Sequence, residues 1–332
     1  MRSQVRRMSY SGAAGVDLPT RLLNRYGRTA CRRALHVDHG AGDSVGNGWH
    51  SVYPRRRDPG GLSIGGVTMP DLRKPGGGCW EERPVGREVP VVACIPHGGR
   101  NFPADLASDL AVPPDMLWSD WLTRELYEFL PSLGVTTIVT AFSRYVADPN
   151  RDPAGDQHGS FWSSVVPAQT PEGGPVYHRP LSAAEISHRI RLAHRPFHRA
   201  LDAAIGRLLD RFYRVLLLDL HSFGLPLPAD IILGDQHGST ASPQAVALLE
   251  TAFAANGFEV RRNDRFAGGW TVRRFAGEPR VDAVQIELNQ RRYLNLDGDP
   301  YPAEPPPGCF AATSRLLRTT LGEGVIPQLP AA

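Results

Sequence analysis

Four short apolar runs, each ending in a group of polar residues, constrain this chain more than anything else in it. Val91–Pro96 leads into His97, Gly98, Gly99 and Arg100, and Val135–Phe142 leads into "SRYVADPNRDP". Val215–Leu220 leads into His221 and Ser222, and Val284–Ile286 reaches Glu287. Runs of this length bounded by turn-forming residues read as buried strands. Between them lie stretches with helical spacing. In residues 115–134, Leu117, Trp121, Leu122 and Leu126 fall on one side and Gly134 closes the segment. Residues 181–213 open with Ser182 and Glu185 at capping-box spacing, and Pro196 should break or kink that helix. This alternation predicts an α/β domain with a parallel or mixed sheet and helices on both faces.

In open α/β sheets ligands bind beyond the carboxyl ends of the strands. Four strand ends rich in His, Asp, Asn, Arg and Glu therefore point to one shared site. Two histidines from separate strand ends and a carboxylate would make a two-His-one-carboxylate metal site with an open position. His97 and His221 are the first choices. Asp120, expected inside the helix between Trp118 and Trp121, is the candidate carboxylate, and Asp219 could orient a histidine from behind. Glu287 could act as base toward a water activated by the metal. Arg151 could clamp a substrate carboxylate with Asn150 beside it. Each residue alone also has a plainer reading: a histidine that only hydrogen-bonds, an aspartate that caps a turn, an arginine in a solvated loop. His194 and His198 share a helix face, but Pro196 lies between them and no Glu follows His194 as H-E-x-x-H requires.

The chain of 332 residues is long enough for one large core. Its net charge of +3 gives no nucleic-acid footprint, and no apolar run approaches the about 20 residues of a membrane span. Four cysteines without C-x-x-C spacing argue against a disulfide framework or a cysteine zinc site and suit a cytoplasmic setting. Residues 1–87 are rich in Gly, Pro and Arg and read as a disordered extension, with a basic arm as the alternative. Residues 88–325 form the expected catalytic domain and 326–332 a tail. Nothing in the sequence indicates an oligomeric state.

From about Val91 to Asn295 the chain resembles the N-formylglutamate amidohydrolase family. The resemblance rests on "IPHGGRNFP", "ADPNRDP", "VYHRPLSAAEISHRI", "RPFHRAL", "LLLDLHSFG", "ADIILGDQHGS", "RFAGGWTVRRFAG" and "VQIELNQRRYLN", in that order. It implies a zinc-carboxypeptidase-like fold, a mixed twisted sheet of about eight strands flanked by helices. It also implies one zinc ion held by His97, Asp120 and His221, with Glu287 as the catalytic residue. Asn150, Arg151, His198, Thr271 and Arg273 would bind the substrate, a small N-acyl amino acid. The implied reaction is hydrolysis of N-formylglutamate to formate and glutamate. The family often has Ser after the first histidine, where this chain has Gly98, a change that removes a hydroxyl near the metal. The carboxypeptidase pattern has Glu three residues after that histidine, where this chain has Arg100, so the acidic ligand must come from further on. Two other readings are a zinc carboxypeptidase or deacylase of another small substrate, and a non-catalytic protein that binds an N-acyl amino acid or a partner.

Overall fold

A computed structural model describes residues 78–84, 86–296 and 306–330. Its strands are β1 (Cys79–Glu82), β2 (Val91–Ile95), β3 (Thr136–Thr140), β4 (His158–Gly159), β5 (Val166–Pro167), β6 (Val215–Phe223), β7 (Ile231–Gly234), β8 (Val260–Arg262) and β9 (Val281–Asn289). Its helices are α1 (Ala104–Ala107), α2 (Thr123–Leu126), α3 (Ala183–Arg189), α4 (Arg195–Leu209), α5 (Pro243–Ala255), α6 (Trp270–Arg273) and α7 (Cys309–Thr319). Among the described residues the main sheet has seven strands in the order β1-β3-β2-β6-β9-β7-β8, against the eight expected. The central strands β3, β2, β6 and β9 run parallel, while β1 pairs antiparallel with β3 and β7 antiparallel with β9. This is the mixed α/β sheet that the apolar runs predict.

Alternation along the strands sorts side chains onto two faces. Val91, Ala93 and Ile95 of β2, with Leu216, Leu218 and Leu220 of β6, pack under a layer that includes Leu126 of α2, Val246, Leu249 and Phe253 of α5, and Leu317 of α7. Val92 and Cys94, with Val215, Leu217, Val281 and Ala283, meet Phe197, Leu201, Ala204, Ile205 and Leu208 of α4. Each buried Val, Leu, Ile or Phe among them stabilises the fold by about 1.5–3 kcal/mol relative to exposure.

Three expectations need correction. Residues 115–134 do not form one helix. A 3-10 turn at Pro114–Met116 gives way to an extended stretch through Asp120, and Leu122 adopts a left-handed conformation (φ 57°) before the single turn α2. Tertiary contacts override the helical pattern. Ser119 Oγ donates to the His97 carbonyl (3.0 Å), and the backbone N–H of Ser222 donates to Asp120 Oδ2 (2.9 Å). The apolar spacing still identified buried residues, since Leu117, Trp121 and Leu126 are all in the interior.

Pro196 does not break its helix. A π turn at Ile190–His194 joins α3 to α4 directly, and this wider turn accommodates a proline that lacks an N–H and crowds the carbonyl four residues back. The domain boundaries also shift. β1 belongs to the sheet although it precedes residue 88, with Cys79 opposite Thr140, whereas residues 1–77 of the expected extension lie outside the described residues. In the expected tail, Ile326 and Leu329 pack against the core. No helix among the described residues is long and apolar enough to cross a membrane.

Candidate metal centre and its cavity

The polar ends of β6 and β9 lie on the face that α4 covers lower down. Asp219 and His221 follow Val215 and Leu217 by the two-residue period, and Gln285 and Glu287 follow Val281 and Ala283. Register pairs Asp219 with Gln285 and His221 with Glu287. Neighbouring parallel strands lie about 4.8 Å apart, so an imidazole and a carboxylate stand side by side on a rigid base. Ser222 points the other way by the same alternation. Its Oγ accepts from Thr123 Oγ1 (3.3 Å) and from Gln290 Nε2 (3.1 Å), which makes it a brace.

His97 reaches the same place from the end of β2. Gly99 lets the chain turn there, because a Cβ would stand 2.6 Å from the carbonyl oxygens of Thr140 and Phe142. A Cβ on Gly98 would meet Ile95 Cγ2 at 2.7 Å. A side chain at that position would press on the core. Asp120 arrives on the extended stretch before α2, not inside a helix as the sequence suggested. Arg100, in place of the expected acid, stacks over Trp121 at 5.1 Å.

Donor atoms of His97, Asp120 and His221 all lie within 4.8 Å of one another, and all three residues are buried. His221 Nδ1 is 3.0 Å from Asp120 Oδ2 and His97 Nδ1 is 3.4 Å from Asp120 Oδ1. The far nitrogen of each ring faces another carboxylate. His97 Nε2 is 2.7 Å from Asp148 Oδ1, and His221 Nε2 is 3.2 Å from Asp219 Oδ2, an ion-pair distance without hydrogen-bond geometry. Arg144 bridges the two sides, with NH2 2.5 Å from Asp148 Oδ2 and NH1 3.3 Å from His97 Nδ1. Two imidazole nitrogens and a carboxylate oxygen, with carboxylates behind the rings, are a donor set that suits a divalent transition metal. Asp120, Asp148, Asp219 and Glu287 are all buried. A cation offsets what such a concentration of negative charge loses by leaving water.

The electrostatics follow from this crowding. Burial alone would raise the Asp148 carboxyl, but Arg144, His97 and Arg151 outweigh it and hold the group well below the usual carboxylate range. Burial likewise works against a protonated His221, yet the carboxylates of Asp219 and Asp120 raise its pKa well above the ordinary imidazole value. Glu287 goes the other way. Burial, reinforced by the negative charges of Asp120 and Asp219, pushes it up to about 7 despite the opposing effect of His221 and Arg144.

These residues open on a cavity of about 550 Å³. Of the nine residues expected in the site, His97, Asp120, Asn150, Arg151, His221 and Glu287 line it. His198, Thr271 and Arg273 do not. His198 lies behind the wall, its Nε2 2.8 Å from the Pro149 carbonyl and its Nδ1 2.5 Å from Arg274. Burial, with help from His194 and Arg274, lowers its pKa to about 3, so it is a neutral hydrogen-bonding brace. Thr271 contributes its backbone N–H, which donates to Asn150 Oδ1 (2.9 Å), and Arg273 stacks over Trp270 at 5.5 Å. The Asn150 amide nitrogen also donates to Gln285 Oε1 (3.3 Å) and lies 3.1 Å from His221 Nε2. A Cβ on Gly269 would come within 2.3 Å of that amide, so only glycine fits there. Sequence reasoning missed Asp148, Arg144 and Gln285. Asp148 lay within the quoted "ADPNRDP", and Gln285 precedes Glu287 by the same two-residue period that pairs Asp219 with His221.

Residues 89–294 match the family model of N-formylglutamate amidohydrolases. The chain is 32% identical to the N-formylglutamate deformylase of Pseudomonas aeruginosa over 222 residues, 62% of this chain and 83% of that protein. It is 31% identical to the N-formylglutamate deformylase of Pseudomonas putida over 225 residues, 62% of this chain and 82% of that one. The solved N-formylglutamate amidohydrolase of Ralstonia eutropha JMP134 superposes with a TM-score of 0.63 at 30% identity, covering 74% of this chain and 96% of that structure. A family-model match over most of the described sheet, together with relatives above 30% identity, shows that this chain belongs to the N-formylglutamate amidohydrolase family.

Proposed function

We propose that the protein hydrolyses N-formylglutamate to formate and glutamate at a zinc site formed by His97, Asp120 and His221. The observation that carries this reading is the placement of Glu287. It is a buried carboxylate in register with His221, with its pKa raised to about 7, in a cavity shared with the metal-binding cluster. The names of the Pseudomonas relatives supply the substrate. Zinc, when bound, would supply Lewis acidity toward the formyl carbonyl and the attacking water.

The chain's own residues do the rest. Glu287 accepts the proton of the water that adds to the formyl carbon. It then passes that proton to the amine nitrogen as the C–N bond breaks, a cycle that suits a group titrating near neutrality. Gln285 Nε2 donates to Glu287 Oε1 (2.8 Å) and fixes the carboxylate. Asp148 and Asp219 orient the two imidazoles. Arg144 sets a positive charge beside the cluster, where negative charge develops on the carbonyl oxygen. Arg151 takes the α-carboxylate, since its guanidinium lines the cavity and its own pairing is loose, with Nε 4.0 Å from Asp148 Oδ2. Asn150, held by Thr271 and Gln285, keeps Arg151 and His221 in place.

Metal analysis combined with hydrolysis of a panel of N-formyl and N-acyl amino acids tests the proposal. Stoichiometric zinc, loss of activity with a chelator and highest kcat/KM on N-formylglutamate are expected. Chelator-resistant activity or a protein without metal would sink the site assignment. A preference for peptides or longer acyl groups would move the substrate to a carboxypeptidase or deacylase class.

A further inference from the structure

N-formylglutamate carries two carboxylates at neutral pH, and the cavity has three arginines among its lining residues, Arg144, Arg151 and Arg265. Arg144 is committed to Asp148 and His97. Arg151 is mostly buried, with 19% of its side chain exposed, deep beside Asp148. Arg265 differs from both. It is exposed, and among the described residues it has no hydrogen-bond or ion-pair partner. Its backbone is left-handed, with φ 69°, a conformation that a residue with a Cβ disfavours.

The surrounding loop imposes that conformation. At its start Asn263, also left-handed (φ 51°), donates from Nδ2 to Asp235 Oδ1 (2.7 Å) and accepts from the Asp235 N–H (3.1 Å). At its end the Ala267 carbonyl accepts from the Gln236 N–H (2.7 Å), and the Gly269 N–H donates to Gln285 Oε1 (2.7 Å). The loop is pinned to β7 on one side and to the β9 residue beside Glu287 on the other. A disfavoured backbone held on both sides, which aims an unpartnered cation at a catalytic cavity, has the character of a binding device.

We infer that Arg265 is the specificity-determining residue for the acidic side chain, binding the substrate's γ-carboxylate while Arg151 holds its α-carboxylate. This rests on the deformylase reading above. The assignment follows from depth. The α-carboxylate is attached to the carbon next to the scissile amide and stays near the buried Arg151. The γ-carboxylate lies two methylenes further out, toward the exposed Arg265.

The test compares N-formylglutamate with N-formylglutamine, an uncharged substrate of nearly the same shape, on metal-loaded full-length protein. Arg265→Asn keeps a residue that tolerates the left-handed backbone, and Arg265→Lys keeps the charge. Arg265→Asn should raise KM for N-formylglutamate on the order of 10- to 100-fold, the worth of one charged hydrogen-bonded contact, with kcat little changed. KM for N-formylglutamine should stay the same, and Arg265→Lys should recover part of the preference. Equal losses on both substrates, or an unchanged preference in Arg265→Asn, would overturn the inference while leaving the deformylase reading intact. Wild-type protein that does not hydrolyse N-formylglutamate would overturn both.

Discussion

The lower and upper halves of β6 and β9 share one face of one sheet and differ in the chemistry of the side chains they carry. Below, Val215, Leu217, Val281 and Ala283 are sealed by α4. Above, Asp219, His221, Gln285 and Glu287 are equally buried but polar, and the last three line a cavity. The backbone does not change at the boundary, since the register is continuous from Val215–Val281 to Phe223–Asn289. The same ladder therefore supplies stability at one end and chemistry at the other. A carboxylate can be held at an unfavourable protonation equilibrium above because the apolar half below provides the folding free energy.

Substitutions in the two halves should separate these contributions. The largest effect is expected at Glu287. Glu287→Gln should lower kcat about 10²–10⁴-fold while stoichiometric metal is retained, as steady-state kinetics and metal analysis would show. Wild-type turnover in this variant would remove Glu287 from its proposed role. In the lower half, Leu217→Ala should lower unfolding free energy by about 2–5 kcal/mol in urea titration, with kcat of the folded fraction unchanged. If kcat falls instead and stability does not, the division between the halves is wrong. Asp219→Asn, just above the boundary, should weaken metal affinity about 10- to 100-fold in a competition with a chromogenic chelator.

The smallest effects concern pH, and here two carboxylates of one site should behave in opposite ways. The folded-state pKa of Glu287 is raised from 4.5 to about 7. Its contribution to stability is present below the unfolded value and is lost as pH rises through about 7. In chelator-treated protein, wild type should therefore fall behind Glu287→Gln in Tm as pH rises across that interval. Asp148 has a folded pKa well below the ordinary carboxylate value, so its contribution is present above the unfolded pKa and is lost as pH falls through the folded one. The Tm advantage of wild type over Asp148→Asn should shrink in acid. A constant difference across pH would mean that Asp148 is not ionised against Arg144.

How much of this was legible in the sequence depended on the element. Strands ending in His97, His221 and Glu287 could be read because an apolar run followed by a polar residue is a local pattern, and β-alternation then fixes the face. Asp120 was found for a partly wrong reason. The spacing of Leu117, Trp121 and Leu126 marked burial correctly but not helix, because contacts from His97 and Ser222 decide the backbone there. Asp148 and Arg144 escaped notice since their importance lies in what they touch across the fold, 51 and 47 residues from His97. His198, to which the family resemblance gave a substrate-binding place, instead holds the Pro149 carbonyl behind the cavity wall, a contact 49 residues away that no local pattern announces.

The pairing of His221 with Glu287 has one more consequence. Because side chains alternate, sliding β9 by one residue against β6 would place Ile286 or Leu288 beside His221 and turn Glu287 into the apolar layer. Strand alignment thus acts on catalysis as a switch with discrete positions. A variant that misaligns these strands would be silent even if it folded, whereas changes in the length of surface loops that preserve the alignment should leave turnover intact.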